Sequence, residues 1–215
     1  MSVLVKICGL RDEETLQAAL DASADFVGFV FYPPSPRFVH FFQAARLAEI
    51  ARGKAKIVAL MVDPEDIEIE QVINDVRPDY IQLHGSEHPS RVEEIVDKFQ
   101  IDVIKAIAVE AEEDVKQSDA FSSAELILFD AKPQAGCQLP GGNGIAFDWR
   151  ILDGRSSQSD YMLSGGLTPQ NVAEAIRLTN CKMVDVSSGV EERAGVKDCR
   201  KISSFIRAAK GNELS

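Results

Sequence analysis

The sequence holds no run approaching 18 uninterrupted apolar residues, so no membrane span is expected. The opening Met1-Ser2-Val3-Leu4-Val5-Lys6 lacks a basic stretch followed by an apolar one, and reads as a strand rather than a signal peptide. Cysteine is sparse: Cys8, Cys137, Cys181 and Cys199 follow no C-x-x-C spacing. That excludes a disulfide framework and a cysteine metal site, and points to reduced thiols in the cytoplasm. Positive charge is also short. Lys and Arg number 23 against 34 Asp and Glu, a net charge of −11. Such a surface repels phosphate backbones, so no nucleic-acid partner is expected. No linker is long or polar enough to divide the 215 residues.

Against these absences stands an ordinary globular composition, 45% hydrophobic and 27% charged. Short β-branched runs recur at Val3–Ile7, Phe26–Phe31, Lys56–Val62, Tyr80–Leu83, Val103–Ile107, Leu126–Asp130, Tyr161–Ser164 and Met183–Val186. Most are continuously apolar, as strands covered on both faces must be. Between them lie helical faces such as Leu16/Ala19/Leu20, Leu47/Ile50/Ala51 and Val92/Ile95/Val96. Asp63-Pro64 and Thr168-Pro169 read as helix caps with proline at the first helical position. Glu13, Glu14, Glu65 and Asp66 suit first turns, where the helix dipole favours negative charge.

Eight strand–helix units in sequence predict an α/β fold with a parallel sheet. A closed (β/α)8 TIM barrel, one domain over residues 1–215, fits the length better than an open doubly wound sheet. In such a barrel the chemistry sits at the C-terminal strand ends. Ser164-Gly165-Gly166-Leu167-Thr168-Pro169, running into a capped helix, and Ser187-Ser188-Gly189 are small-residue turns after strands seven and eight. Their backbone N–H groups suit a phosphate. Alternation places Lys6 and Cys8 on one side of strand one, and Asp185 and Ser187 on one side of strand eight. An interior Lys6–Asp185 pair is expected one pleat below Cys8, its ammonium helping to stabilise a thiolate. Asp130 ends an apolar strand, where burial would raise its pKa towards a proton donor's; a helix cap or a Lys132 pair is the plainer alternative. Arg37, in the proline-stiffened Pro33-Pro34-Ser35-Pro36-Arg37 loop, suits bidentate carboxylate recognition. His84 reads as a wall residue of the site.

Lys6-Ile7-Cys8-Gly9-Leu10, Ser35-Pro36-Arg37, Gln82-Leu83-His84-Gly85, Leu128-Phe129-Asp130, Gly144 with Phe147-Asp148-Trp149, Gly165-Gly166-Leu167-Thr168-Pro169-Gln170-Asn171-Val172 and Val184-Asp185-Val186-Ser187-Ser188-Gly189-Val190-Glu191 span nearly the whole chain. In these segments the chain resembles the phosphoribosylanthranilate isomerase family, barrel enzymes of tryptophan biosynthesis. The resemblance implies an Amadori rearrangement without metal or organic cofactor, Cys8 as general base and Asp130 as general acid. It also implies Arg37 on the anthranilate carboxylate, and the two turns on the phosphate. Two positions depart from the family's habit: Asn143 stands where threonine is common, and Ala194 where proline is. Neither belongs to the acid–base pair.

Two other readings, another phosphosugar barrel enzyme and a non-catalytic binding module, fit these residues less well. An indole-glycerol-phosphate synthase would need a lysine acid with glutamate partners, and a pentose-phosphate epimerase metal-binding histidines; neither set is evident. A non-catalytic metabolite-binding module would keep the glycine turns but not Cys8 or Asp130. The expected partner is a small phosphorylated substrate, with the chain a monomer or homodimer and Pro133–Asn143 a candidate lid.

Overall fold

The computed structural model describes residues 3–132, 141–142, 144, 147–152 and 160–211. Cys137, Asn143 and most of the candidate lid lie outside these. Eight parallel strands close on themselves in chain order: β1 Leu4–Cys8, β2 Phe26–Val30, β3 Lys56–Met61, β4 Tyr80–Leu83, β5 Asp102–Val109, β6 Leu126–Ala131, β7 Tyr161–Leu163 and β8 Met183–Val186. Strand β8 pairs back onto β1, which completes the predicted barrel. All eight expected strands are present, each close to its expected ends.

Seven α-helices alternate with the strands among the described residues: α1 Glu13–Asp21, α2 Phe41–Ala51, α3 Asp66–Val76, α4 Pro89–Phe99, α5 Glu112–Gln117, α6 Val172–Thr179 and α7 Cys199–Lys210. Local chemistry sets their ends. The Asp12 carboxylate accepts the Thr15 N–H at 2.8 Å to open α1, and Asp198 accepts from Arg200 and Lys201 to open α7. Helices α4 and α6 stop at Gln100 and Asn180, both in the left-handed region at φ 50°. The expected caps at Asp63 and Thr168 are displaced. Helix α3 begins three residues after Asp63, whose carboxylate accepts the Ser86 N–H of the neighbouring loop after β4. Thr168 begins a turn that precedes α6. In both places the Xaa-Pro pair starts the connection and a later residue starts the helix.

Alternation along the strands separates two cores. One side chain in two faces the helices, with Val5, Ile7, Val27, Phe29 and Phe129 among them. The other set fills the barrel interior. Its floor is apolar: Phe26, Val58, Ile104, Ala106, Leu126, Leu128, Met162 and Met183. The positions above that floor are polar, and they point at the C-terminal mouth.

Candidate active site

Lys6 stands opposite Asp185 in the β1–β8 register, and Cys8 lies two residues further towards the mouth. The Lys6 ammonium donates to Asp185 Oδ1 at 2.8 Å, fully buried, as alternation predicts. The second carboxylate oxygen accepts from Ser164 Oγ at 3.3 Å, so strand β7 joins the array. Burial alone would strip the proton from Lys6, yet Asp185 and Cys8 hold its pKa above the ordinary value. The expected thiolate does not follow at Cys8. Burial pushes the thiol up, Asp185 adds to the rise, and the pull of Lys6 and Lys197 does not overcome it. Cys8 therefore rests as a protonated thiol at neutral pH. Glycine at position 28 makes room for it, since a Cβ there would lie 3.1 Å from the sulfur.

Asp130 reaches the same mouth from β6. Its Oδ1 accepts the Ala131 N–H at 2.9 Å, and Oδ2 lies 3.3 Å from His84 Nε2. The alternative pairing with Lys132 is not formed, because Lys132 pairs with Glu110. His84 is thus more than a wall residue. Its other ring nitrogen sits 2.9 Å from the Gln82 amide nitrogen. Donation by that amide makes Nδ1 the acceptor and leaves the Nε2–H to point at Asp130.

Arg37 is held by a residue outside the sequence-predicted set. Its Nε and Nη2 donate to the two oxygens of Glu191 at 2.7 and 2.9 Å, and Nη2 also donates to the Gly142 carbonyl. Burial works to protonate Glu191, but Arg37 and Lys197 keep its pKa below the usual carboxylate range. Glu191 opens a short antiparallel hairpin, β9 Glu191–Arg193 with β10 Val196–Lys197. The hairpin's Gly195, at φ 77°, presses on the Pro36 carbonyl, which a Cβ would meet at 2.3 Å. So the guanidinium owes its fixed position to this hairpin as well as to the prolines. Runs of two or three residues, bent by Gly195, carry too little alternation to be read from sequence.

The glycine turns adjoin one another. Gly165 and Gly166 take positive φ, and a side chain at Gly189 would collide with the Leu167 carbonyl. Helix α6 does not start at this turn, as the sequence suggests it should. Asn171 spans the gap, donating to the Gly166 carbonyl at 3.0 Å and accepting from the Thr168 N–H at 2.7 Å. All of Cys8, Arg37, His84, Asp130, Gly165, Gly166, Asp185, Ser187, Ser188 and Gly189 line a single cavity at the barrel mouth. Its mixture of apolar wall and convergent polar groups suits a small metabolite.

A family model described as N-(5'phosphoribosyl)anthranilate (PRA) isomerase matches residues 5–208. The chain belongs to this family. Among its relatives, the N-(5'-phosphoribosyl)anthranilate isomerase of Paramagnetospirillum magneticum is 49% identical over 212 residues, covering 98% of this chain and 99% of the relative. That of Mesorhizobium japonicum is 47% identical over 211 residues, covering 98% and 96%. The crystal structure of the Thermotoga maritima enzyme superposes with a TM-score of 0.88 at 36% identity, covering 97% of this chain and 99% of the other. A crystal structure of a phosphoribosyl anthranilate isomerase with reduced 1-(o-carboxyphenylamino)-1-deoxyribulose 5-phosphate superposes at 0.85, with the same identity and coverage. Family members are isomerases, and this chain is an enzyme of that kind. No helix among the described residues is long and apolar enough to cross a membrane.

Proposed function

We propose that the chain converts N-(5'-phosphoribosyl)anthranilate into 1-(2-carboxyphenylamino)-1-deoxyribulose 5-phosphate, as a step of tryptophan biosynthesis in the cytoplasm, with residues 1–215 acting as one catalytic domain. The observation that carries the reading is the convergence of Cys8 and Asp130 on one cavity that also holds Arg37 and both glycine turns. Asp130, protonated, gives its hydrogen to the furanose ring oxygen. The anilinic nitrogen lone pair then breaks the C1–O bond, leaving an open-chain iminium. That cation acidifies C2, and the Cys8 thiolate removes the C2 proton. The resulting enamine-enol tautomerises to the ketone. Each proton transfer by a positioned group is worth about 10²–10⁴-fold.

The remaining residues fix the substrate between these two groups. The Arg37 Nη1 amino group, unbonded to any described residue, faces the carboxylate. The N–H groups of Gly165, Gly166, Ser188 and Gly189 face the phosphate. Asp185 anchors Lys6 beneath Cys8, and Ser187 donates to the Cys8 carbonyl at 3.1 Å. His84 holds the Asp130 carboxylate once its proton has left; the tautomerisation then returns the enol proton to Asp130, while the proton taken by Cys8 goes to C1. The chemistry needs no cofactor or metal. A monomer or a homodimer would serve, because each site is drawn from one chain; a structural relative, the T. maritima enzyme, is described as dimeric. Loss of substrate fluorescence on adding the purified protein tests the reading. A flat trace with fresh substrate would reject it.

A further inference from the structure

A buried cation that this mechanism leaves unused lies behind the carboxylate clamp. The Lys197 side chain is 1% exposed. Its ammonium donates to Glu191 Oε1 at 3.0 Å, and to the Ser187 carbonyl and hydroxyl at 2.9 and 3.2 Å. The Glu191 oxygen it holds also accepts from Arg37 Nε. The chain thus buries one carboxylate between two cations, 7% exposed at the Arg37 side chain and 4% at Glu191.

The charge count matters. An arginine intended for an anionic ligand is here already neutralised by a buried glutamate. In a poorly solvated mouth such a pair offers a carboxylate directional donors but almost no net attraction. Lys197 restores one unit of positive charge immediately behind the pair. Resting on the function proposed above, we infer that Lys197 is a specificity-determining residue, supplying the net charge by which the Arg37–Glu191 clamp selects a substrate bearing an aryl carboxylate. Lys197 is not among the residues that line the cavity, and it acts through Glu191 and Arg37.

The groups that face Lys197 are Glu191 from β9, Arg37 from the β2–α2 loop and Cys8 from β1, with Lys6 and Asp185 beneath the last. Burial drives the ammonium pKa down to about 8, against the opposing attraction of Glu191. The clamp's net charge is therefore present below pH 8 and lost above it.

The test compares two substrates, N-(5'-phosphoribosyl)anthranilate and the corresponding aniline glycoside, which lacks the carboxylate. With Lys197→Met, KM for the anthranilate should rise about tenfold or more, while KM for the aniline stays within about twofold. Wild-type KM for the anthranilate should rise between pH 7.5 and 9, and that for the aniline should stay level. An equal rise for both substrates would reduce Lys197 to a packing role and overturn the inference, as would an unchanged KM for the anthranilate. If Lys197→Met does not fold, the wild-type pH comparison decides alone, and parallel curves for the two substrates overturn the inference. A wild-type protein that turns over neither substrate refutes the proposed function itself, and the inference with it; turnover without carboxylate selectivity refutes only the inference.

Discussion

The two sides of the barrel mouth are built differently. Around β1 and β8 the polar groups are ions in buried pairs: Lys6 with Asp185, and Glu191 between Arg37 and Lys197. Around β4 and β6 the cavity-lining partners of Asp130 are an imidazole and a backbone N–H, with the Gln82 amide behind the imidazole; the buried Lys105–Glu87 pair of this side lies outside the cavity lining. The difference follows from what each proposed reacting group must do. A buried thiol that is to become a thiolate needs cations, because burial penalises the charged form. A carboxyl group that is to donate a proton needs a neighbour able to share it, without a full positive charge holding it ionised.

The largest effect should come from removing the proton donor on the less charged side. Asp130→Asn should lower kcat by about 10²–10⁴-fold, read from substrate fluorescence, with the fold unchanged by circular dichroism. Wild-type turnover in that variant would dissolve the contrast between the two sides. On the ionic side, Lys6→Met should destabilise the chain by about 3–5 kcal/mol in denaturant titrations, because it strands the buried Asp185 carboxylate. Adding Asp185→Leu should recover most of that loss. Should Lys6→Met cost under about 1 kcal/mol, the pair is not buried in the way described. The smallest change is Gly28→Ala, whose methyl would press on the Cys8 sulfur at 3.1 Å. We expect a drop in kcat of about tenfold from the displaced thiol, with stability altered by about 1–3 kcal/mol. Unchanged kcat would show that the sulfur's position is not critical.

The same contrast separates what the amino-acid sequence makes legible from what it hides. The barrel is legible because each strand is a short apolar run of fixed period, and the run positions survive local variation. Lys6 and Asp185 are legible because period-two alternation plus closure of β8 on β1 forces them together. Alternation says nothing about residues on connections. Glu191 and Lys197 meet Arg37 through a hairpin of five strand residues, and Asn171 bridges the Gly166 turn by side-chain bonds to backbone. The His84–Asp130 contact joins two strand ends with β5 between them, so spacing within either segment cannot show it. The sign of the Cys8 shift is hidden for another reason. Alternation supplies a single favourable lysine, whereas the outcome depends on burial, Asp185 and Lys197 together.

The most direct test of the acid–base assignment is substrate-fluorescence decay at saturation, for the wild type and for Cys8→Ala, followed from pH 7 to 9. Because the thiol's pKa lies above its ordinary value, the thiolate is a minor form throughout this range, and the wild type turns over through that fraction. The alanine variant should stay about 10²–10⁴-fold lower at every pH. A Cys8→Ala protein that retains the wild-type rate and pH dependence would contradict the assignment of the base.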